Sequence, residues 1–284
     1  MAEAVSAASI NPTTADRDPD RFRAQAIDRV VTRQKKARRQ RWVLRAIAFV
    51  VVFAGWQIVG GSINPIFLST PTEILRALWD MTLSGQLLKA LGDSAAALGI
   101  GFAAAVVVGV PLGVLMGRNS VLDTLLSPYV NALFVAPRVA LVPLILIWFG
   151  IGFEAQLVVI FLSSVFEVMI NSYAGARNMN AAWIETARSF GATRSQVFLQ
   201  VVMPGSVPFI MTGLRLGIGH AVIGMVVGQM FLALSGLGEM LVDYGDLFET
   251  ASVFAVVIVI SVFGVILTNS VQWVERRFTN WRVS

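Results

Sequence analysis

The chain has 284 residues, of which 56% are hydrophobic and 14% charged, and its formal net charge at pH 7 is +5. With a mean hydropathy of +0.73, it has too little polar surface to cover a soluble globule of this length, so the sequence indicates an integral membrane protein. The lack of cysteine excludes disulfides, thiolate metal sites and cysteine nucleophiles.

The first 45 residues form a basic extension. Eleven of the 22 Lys and Arg residues lie here, namely Arg17, Arg21, Arg23, Arg29, Arg33, Lys35, Lys36, Arg38, Arg39, Arg41 and Arg45. A secretory signal peptide would already be complete within this polar stretch, so none is expected. Residues 20–41 mix apolar and basic side chains, which fits either a helix lying on the inner leaflet or a disordered basic tail. We therefore divide the chain into an extension, 1–45, and a membrane domain, 46–284.

Six apolar stretches follow this extension. An uncharged run of about 18 residues crosses roughly 30 Å of hydrocarbon as a helix, and four stretches approach that standard: 46–63, 94–117, 157–170 with Glu167 inside it, and 252–273. Two further stretches carry one arginine each: 124–152 with Arg138, and 207–234 with Arg215. The sequence predicts an all-α polytopic membrane protein with about six transmembrane helices.

A short helix is predicted between the first two spans. Thr70 is a suitable N-cap, Pro71 suits the first helical position, and Glu73 can return to the cap. The helix should run to about residue 82 with Ile74, Leu78 and Met81 on one face, packed on the membrane surface or on neighbouring helices.

Glycines recur four residues apart within two of the predicted spans. Small residues at this spacing allow close approach of helices in lipid. We expect a packing role for them: Gly109, Gly113 and Gly117 in one span, and Gly213, Gly217, Gly224 and Gly228 in another.

The charges of the loops predict an orientation. Positive loops stay in the cytoplasm, which places there both termini and the loop at 172–203, with Arg177, Arg188 and Arg194. The loop before the last span is acidic and should be outside; it carries Glu239, Asp243, Asp246 and Glu249 without Lys or Arg. The isoelectric point near 10.2 therefore reports topology and contact with anionic lipid, and no nucleic-acid partner is expected.

A punctuated motif lies in the predicted cytoplasmic loop. It consists of an acidic residue, two small residues, a glycine and, ten residues beyond it, an apolar-x-apolar-Pro ending: Glu185, Thr186, Ala187, Gly191, Val201, Met203 and Pro204. This pattern resembles the EAA signature of ABC-importer permeases. No G-x-x-x-x-G-K-[ST] loop occurs in the sequence, so no cofactor is expected in this chain, and the ATP that the resemblance implies would be bound by a partner subunit.

The resemblance implies a docking role for the loop, 172–204. A short helix at residues 185–190 would enter a groove on the ATPase, with Thr186 and Ala187 permitting close approach. Gly191 permits the turn that ends this helix, and Pro204 can begin the next membrane helix.

A narrower resemblance is to permeases of the nitrate, sulfonate and taurine importer class. It is carried by residues 136–152, by Asn171, Gly175 and Arg177, and by residues 204–208 and 235–238, and it covers roughly 65–280. It implies the type I ABC-importer permease fold, a multi-pass location in a bacterial inner membrane, and import of a small anionic solute such as a sulfonate or organic carboxylate. The implied partners are ATP-binding subunits, an extracytoplasmic substrate-binding protein, a second copy of the chain and the lipid bilayer.

Four polar residues within the apolar stretches are candidates for the solute pathway: Arg138, Glu167, His220 and Gln229. A charge at membrane depth points to function, but Glu167 is equally explained as a hydrogen-bonded structural residue, and Arg138, in a span broken by proline, by pairing with Glu167 or with backbone carbonyls. His220 is the only histidine and fits a packing role better than a proton relay. No metal site is expected from one histidine without neighbouring ligands.

Two other classes of protein compete with a permease as explanations of the sequence. A secondary transporter needs internal inverted repeats and carboxylates that couple ions, and the sequence shows neither beyond Glu167. An integral membrane enzyme needs clustered His, Asp or Glu. We expect no catalytic residues and no covalent chemistry.

Overall fold

The computed structural model describes residues 40, 42–45 and 47–279. The possible interfacial helix at residues 20–41 lies outside the described residues except for residue 40. Within the described part the chain is helical without strands, as predicted. The helices are α1 (Trp42–Ser62), α2 (Pro71–Leu83), α3 (Gln86–Arg118), α4 (Ser120–Val135), a 3-10 turn (Arg138–Leu141), α5 (Val142–Phe149), α6 (Phe153–Arg177), α7 (Ala181–Ser189), α8 (Arg194–Val197), a π turn (Phe198–Val202), α9 (Met203–Leu232), α10 (Leu237–Asp246) and α11 (Thr250–Thr279).

Five of the described helical segments are long and apolar enough to cross a membrane: α1, α3, α6, the continuous segment Arg194–Leu232, and α11. A sixth candidate is the pair formed by α4 and Arg138–Phe149, which is bent by 94°. The bend follows α4 at Pro137, which has no amide hydrogen and disfavours a helical residue before it. The prediction of about six spans, one of them broken by proline, is confirmed.

The contacts of the chain divide it into two units, Met1–Val59 and Gly60–Ser284. Most of α1 belongs to the first unit, and its large apolar side chains are exposed, for example Phe49, Val51 and Ile58. An apolar helix with exposed side chains is what lipid requires.

In the second unit, α6 lies between α3 and α9, and glycines make this packing close. A β-carbon at Gly113 of α3 would lie 2.9 Å from Cβ of Ser172, and one at Gly217 of α9 would lie 2.9 Å from Cγ2 of Val168. All seven glycines singled out in the sequence face α6 in this way, although Gly228 is looser. The expected packing role is confirmed.

The predicted start of α2 is also confirmed. The Thr70 amide donates to Oε2 of Glu73 at 2.8 Å, and the Glu73 amide donates to Oγ1 of Thr70 at 3.4 Å. The bond from the Thr70 amide lowers the pKa of the Glu73 carboxyl. Ile74 and Met81 are buried on one face, as the spacing predicts.

α2 and α10 lie at the same end of the second unit. The Tyr244 hydroxyl of α10 donates to Oε1 of Gln86 at 3.2 Å, at the start of α3 immediately after α2. α7 follows the opposite end of α6, so the two loop regions with opposite charge lie at opposite ends of the spans. α10 itself was predicted only as a loop.

Close packing of α3 on α6 can be tested at Gly113. Gly113→Ala should lower the thermal stability of the protein in detergent by about 1–3 kcal/mol, because the added methyl group overlaps α6. The matched control is Gly99→Ala on the same helix, where nothing lies within 4 Å. Equal melting temperatures for the two variants would contradict the close contact.

Candidate functional site

α7 is held by one buried side chain, Ile184, and by Ala187, which is partly buried against the same cluster, while its other residues are exposed. Ile184 is buried in a cluster with Val114, Ala176, Val197 and Val202, which fixes α7 against the ends of α3, α6 and the segment leading to α9. Glu185 and Thr186 on the remaining surface of α7 are exposed. A helix anchored on one side and open on the other is suited to binding a partner.

The end of α7 depends on Gly191. Its φ is +82°, in the left-handed region that side chains with a β-carbon rarely adopt. The Gly191 amide donates to the Arg188 carbonyl at 2.9 Å, and the Ala192 amide to the Ala187 carbonyl at 3.1 Å. These bonds satisfy carbonyl groups that the end of a helix leaves open, so the turn predicted at Gly191 is present.

Phe190 is the residue of this surface that the motif did not single out. Its side chain is 88% exposed at the end of α7, and Trp183 on the same helix is half exposed. A cavity of about 410 Å³ opens beside them, lined by Trp183, Thr186, Ala187, Gln200, Val201, Pro204 and Gly205. An exposed aromatic side chain beside an open cavity is typical of a protein interface.

Pro204 lies in the first turn of α9, as predicted, but the membrane-spanning segment as a whole begins earlier in the chain. The helix begins at Arg194, where Thr193 and Gln196 form a capping box, and it continues through α8 and the π turn into α9. Pro204 is the second residue of α9, directly after the π turn in which the Met203 amide donates to the Phe198 carbonyl. Proline has no amide hydrogen to donate, and the change from π-helical to α-helical hydrogen bonding lies next to Pro204.

Three of the four predicted pathway residues meet at the break in the third apolar stretch, 124–152. An Nη atom of Arg138 lies 3.5 Å from Oε1 of Glu167, and Nδ1 of His220 lies 3.5 Å from the same oxygen. Glu167 is 8% exposed, whereas the His220 side chain is 44% exposed. The carboxylate therefore lies between a partly buried arginine and a more exposed histidine.

Arg138 also binds two backbone carbonyls, one just before the break and one on the neighbouring helix α6. It donates to the Ser163 carbonyl of α6 at 2.8 Å and to the Phe134 carbonyl of α4 at 3.2 Å. Phe134 lies in the last turn of α4, where carbonyl groups have no partner within the helix. Arg138 thus makes both of the structural contacts that the sequence left open, with Glu167 and with carbonyl groups.

Gln229 is not part of this cluster. It lies nine residues beyond His220 on α9, about 14 Å along the helix, and is 1% exposed. Its Oε1 accepts from Oγ of Ser94 at 2.9 Å and from the Gly238 amide at 3.1 Å. Ser94 in turn accepts from the Leu237 amide at 2.9 Å, so the two side chains cap the start of α10.

The described residues contain no group of three or more His, Asp or Glu side chains arranged to hold a metal ion. The chemistry available in them is hydrogen bonding, charge and packing.

Comparisons with known proteins place the chain among transport proteins. A family model described as "Binding-protein-dependent transport system inner membrane component" matches residues 109–280. The chain is 31% identical over 255 residues to the putative aliphatic sulfonates transport permease protein SsuC of Bacillus subtilis, covering 88% of this chain and 92% of that protein. It is 32% identical over 226 residues to the taurine transport system permease protein TauC of Escherichia coli, covering 77% and 82%.

Solved structures share the fold. The inward-facing MetNI methionine ABC transporter matches with a TM-score of 0.62 and 19% identity, covering 70% of this chain and 98% of the matched chain. A crystal structure of an amino acid ABC transporter with histidines matches with a TM-score of 0.53 and 21% identity, covering 72% and 97%. These similarities confirm the type I ABC-importer permease fold.

The structural role of the buried pair can be measured with a double-mutant cycle. Arg138→Gln or Glu167→Gln alone should lower thermal stability in detergent by about 3–5 kcal/mol, because each leaves a buried charge without its partner. The double variant should recover part of that loss. The control pair is Arg215 with Glu275, 3.4 Å apart and more exposed, for which about 0–1 kcal/mol is expected. Additive losses at Arg138 and Glu167 would refute their coupling.

Proposed function

Since the chain belongs to the family of inner-membrane components of binding-protein-dependent transport systems and is the permease component of an ABC importer, we propose that it conducts a small anionic solute and couples to a separate ATPase through α7. The named relatives are transport permeases, which favours this function over a secondary transporter and over a membrane enzyme.

The observation that carries the coupling proposal is the geometry of α7. Its buried side chain, Ile184, holds it to the ends of three spanning segments, while Glu185, Thr186 and Phe190 remain exposed. A force applied to this open face by a partner reaches the spans through Ile184. The sequence contains no P-loop motif, so ATP would act from the partner subunit.

We assign the remaining partners from the same family relationship. An extracytoplasmic binding protein would deliver the solute to the end that carries α2 and α10. One chain supplies one α7, so two copies would serve a pair of ATPase subunits, either as a homodimer or with a related permease. Light scattering of the purified permease with its ATPase would show two permease chains; one chain per assembly would contradict this.

We propose that α7 and both termini lie on the cytoplasmic side of the membrane of a bacterial cell. This orientation rests on the arginines near α7, such as Arg188 and Arg194, and on the acidic residues of the opposite end, such as Asp243 and Asp246. The same arrangement sets α7 within reach of a cytoplasmic ATPase.

For the pathway, we place the solute beside His220. The guanidinium of Arg138 binds two carbonyl groups and Glu167. The most exposed member of the cluster is His220. Arg138 and Glu167 together are close to neutral, and the imidazole of His220 offers a polar group that can hydrogen-bond an anion. Relatives named for sulfonates and taurine support an anionic solute. Gln229 would support the end near α10 rather than touch the solute.

Uptake measurements on the cluster variants test this assignment. The double variant Arg138→Gln with Glu167→Gln keeps a neutral pair behind His220, and it should still assemble with the ATPase. In the otherwise unmodified protein, His220→Gln should slow uptake while assembly persists, because the imidazole facing the solute is lost. Uptake equal to that of the unmodified protein would exclude His220 from the pathway.

The coupling role can be tested at Gly191. Gly191→Val forces a β-branched residue into a left-handed turn at a cost of about 1–2 kcal/mol, which should displace the end of α7. Solute uptake and solute-stimulated ATP hydrolysis in proteoliposomes should fall together, while the permease still inserts into the membrane.

A matched control exists at the other end of the molecule. Gly85 also has a positive φ, +77°, and at Gly85 as at Gly191 a β-carbon would meet nothing within 4 Å. Gly85→Val should cost similar stability but leave ATP hydrolysis coupled to uptake. If both variants lose coupling equally, the effect is one of general stability, and α7 is not the coupling element.

Topology can be probed with single cysteines, because the chain has none of its own. Asp246 and Ser195 are both exposed, at opposite ends. Asp246→Cys should react with a membrane-impermeant thiol reagent on intact cells, and Ser195→Cys only after permeabilisation. Labelling of Ser195→Cys on intact cells would invert the orientation and remove α7 from the cytoplasmic ATPase.

A further inference from the structure

The three faces of α2 make different contacts with the other described residues. One face is buried in the fold and carries Ile74 and Met81, at 2% and 4% exposure. The charged flank, Glu73, Arg76 and Asp80, lines an open cavity of about 480 Å³ together with residues of α10 and α11. The third face is apolar and exposed.

This exposed stripe consists of Leu75, Trp79 and Leu83, which are 64%, 65% and 69% exposed. Their spacing of four residues places them on one side of the helix. Thr72 and Thr82 lie on the same side, and Arg76 of the charged flank borders the stripe, which itself carries no charge. Exposed apolar patches of this kind mark contact with another apolar surface.

The stripe continues into the exposed face of a membrane span. Only Ser84 and Gly85 separate α2 from α3, and Leu88 at the start of α3 is 62% exposed. Further along, Ile100 and Val107 of α3 are 52% and 72% exposed. α3 has 33 residues, about 50 Å, and so is longer than the roughly 30 Å hydrocarbon core. The uncharged stretch of α3 begins only at residue 94, after Lys89 and Asp93, so the first turns of α3, and α2 beside them, lie at the headgroup level.

We propose that α2 is an interfacial helix whose Leu75, Trp79 and Leu83 are inserted into the bilayer surface, at the boundary between headgroups and acyl chains. The chemistry of the stripe fits this occupant. Tryptophan concentrates at the membrane interface, where its ring is apolar and its N–H can reach water. The charged flank then faces the aqueous cavity, which gives α2 the division of faces that interfacial helices show.

Spin labels can distinguish lipid from water and from protein at each position. The full-length chain, which needs no cysteine removal, would carry one nitroxide at a time and be reconstituted into phosphatidylcholine and phosphatidylglycerol vesicles. The lipid positions are Leu75, Trp79 and Leu83. The controls on the same helix are Arg76 and Asp80, both on the charged flank. Collision with molecular oxygen reports lipid, and collision with a soluble nickel chelate reports water.

Labels at Leu75, Trp79 and Leu83 should respond to oxygen and lose their response to nickel, whereas labels at Arg76 and Asp80 should respond to nickel. A nickel response at Leu75, Trp79 and Leu83 would mean that the stripe faces water and would overturn the proposal. Shielding from both reagents would overturn it too, since another protein surface, such as a second copy, would then cover the stripe. Because all five positions lie outside the buried face of α2, a label at any of them leaves that face intact.

Discussion

A helix that breaks inside a membrane must find partners for the carbonyl groups that the break releases, because lipid supplies none. Here the guanidinium of Arg138 binds one of them, the Phe134 carbonyl before the break, and it also binds the Ser163 carbonyl of the neighbouring helix α6. The charge that this brings into the interior requires compensation, which Glu167 provides. These contacts of Arg138 connect α4 to α6, and Glu167 connects them in turn to the exposed His220 of α9.

α6 is the element through which these features meet. Glycines of α3 and α9 face it along most of its length, so the three helices form a tightly packed unit. α6 also carries Glu167 near its middle and Arg177 at its end, where Arg177 forms an ion pair with Asp123 of α4. Its last turn contributes Ala176 to the cluster that buries Ile184 of α7. The cluster of Arg138, Glu167 and His220 and the helix α7 are thus both packed against α6.

Local features were the ones that the sequence could predict. The capping residues of α2, the glycines facing α6 and the turn at Gly191 depend on short-range geometry, and each has a distinct residue signature. The meeting of Arg138, Glu167 and His220 was only one of several possibilities, because it depends on how far the chain bends at Pro137. The helix before Pro204 was missed because a proline is a common helix start, and the π turn that accommodates it has no sequence signal. α10 was likewise missed as a helix, because its cap is supplied by Ser94 and Gln229 from two other helices, far away in the sequence.

The continuous segment from Arg194 to Leu232 has a mechanical consequence. Its 39 residues form a rod of about 58 Å that starts beside α7, and at its far end the Leu232 carbonyl accepts from the Gly152 amide at 2.7 Å. Such a rod transmits a displacement of one end to the other nearly undiminished. The π turn at Phe198–Val202 is its weak point, because the regular ladder of hydrogen bonds changes register there. Under the proposed coupling, the stiffness of that turn, together with the hydrogen bond missing at Pro208, would set how much of a movement at α7 reaches the opposite side of the membrane.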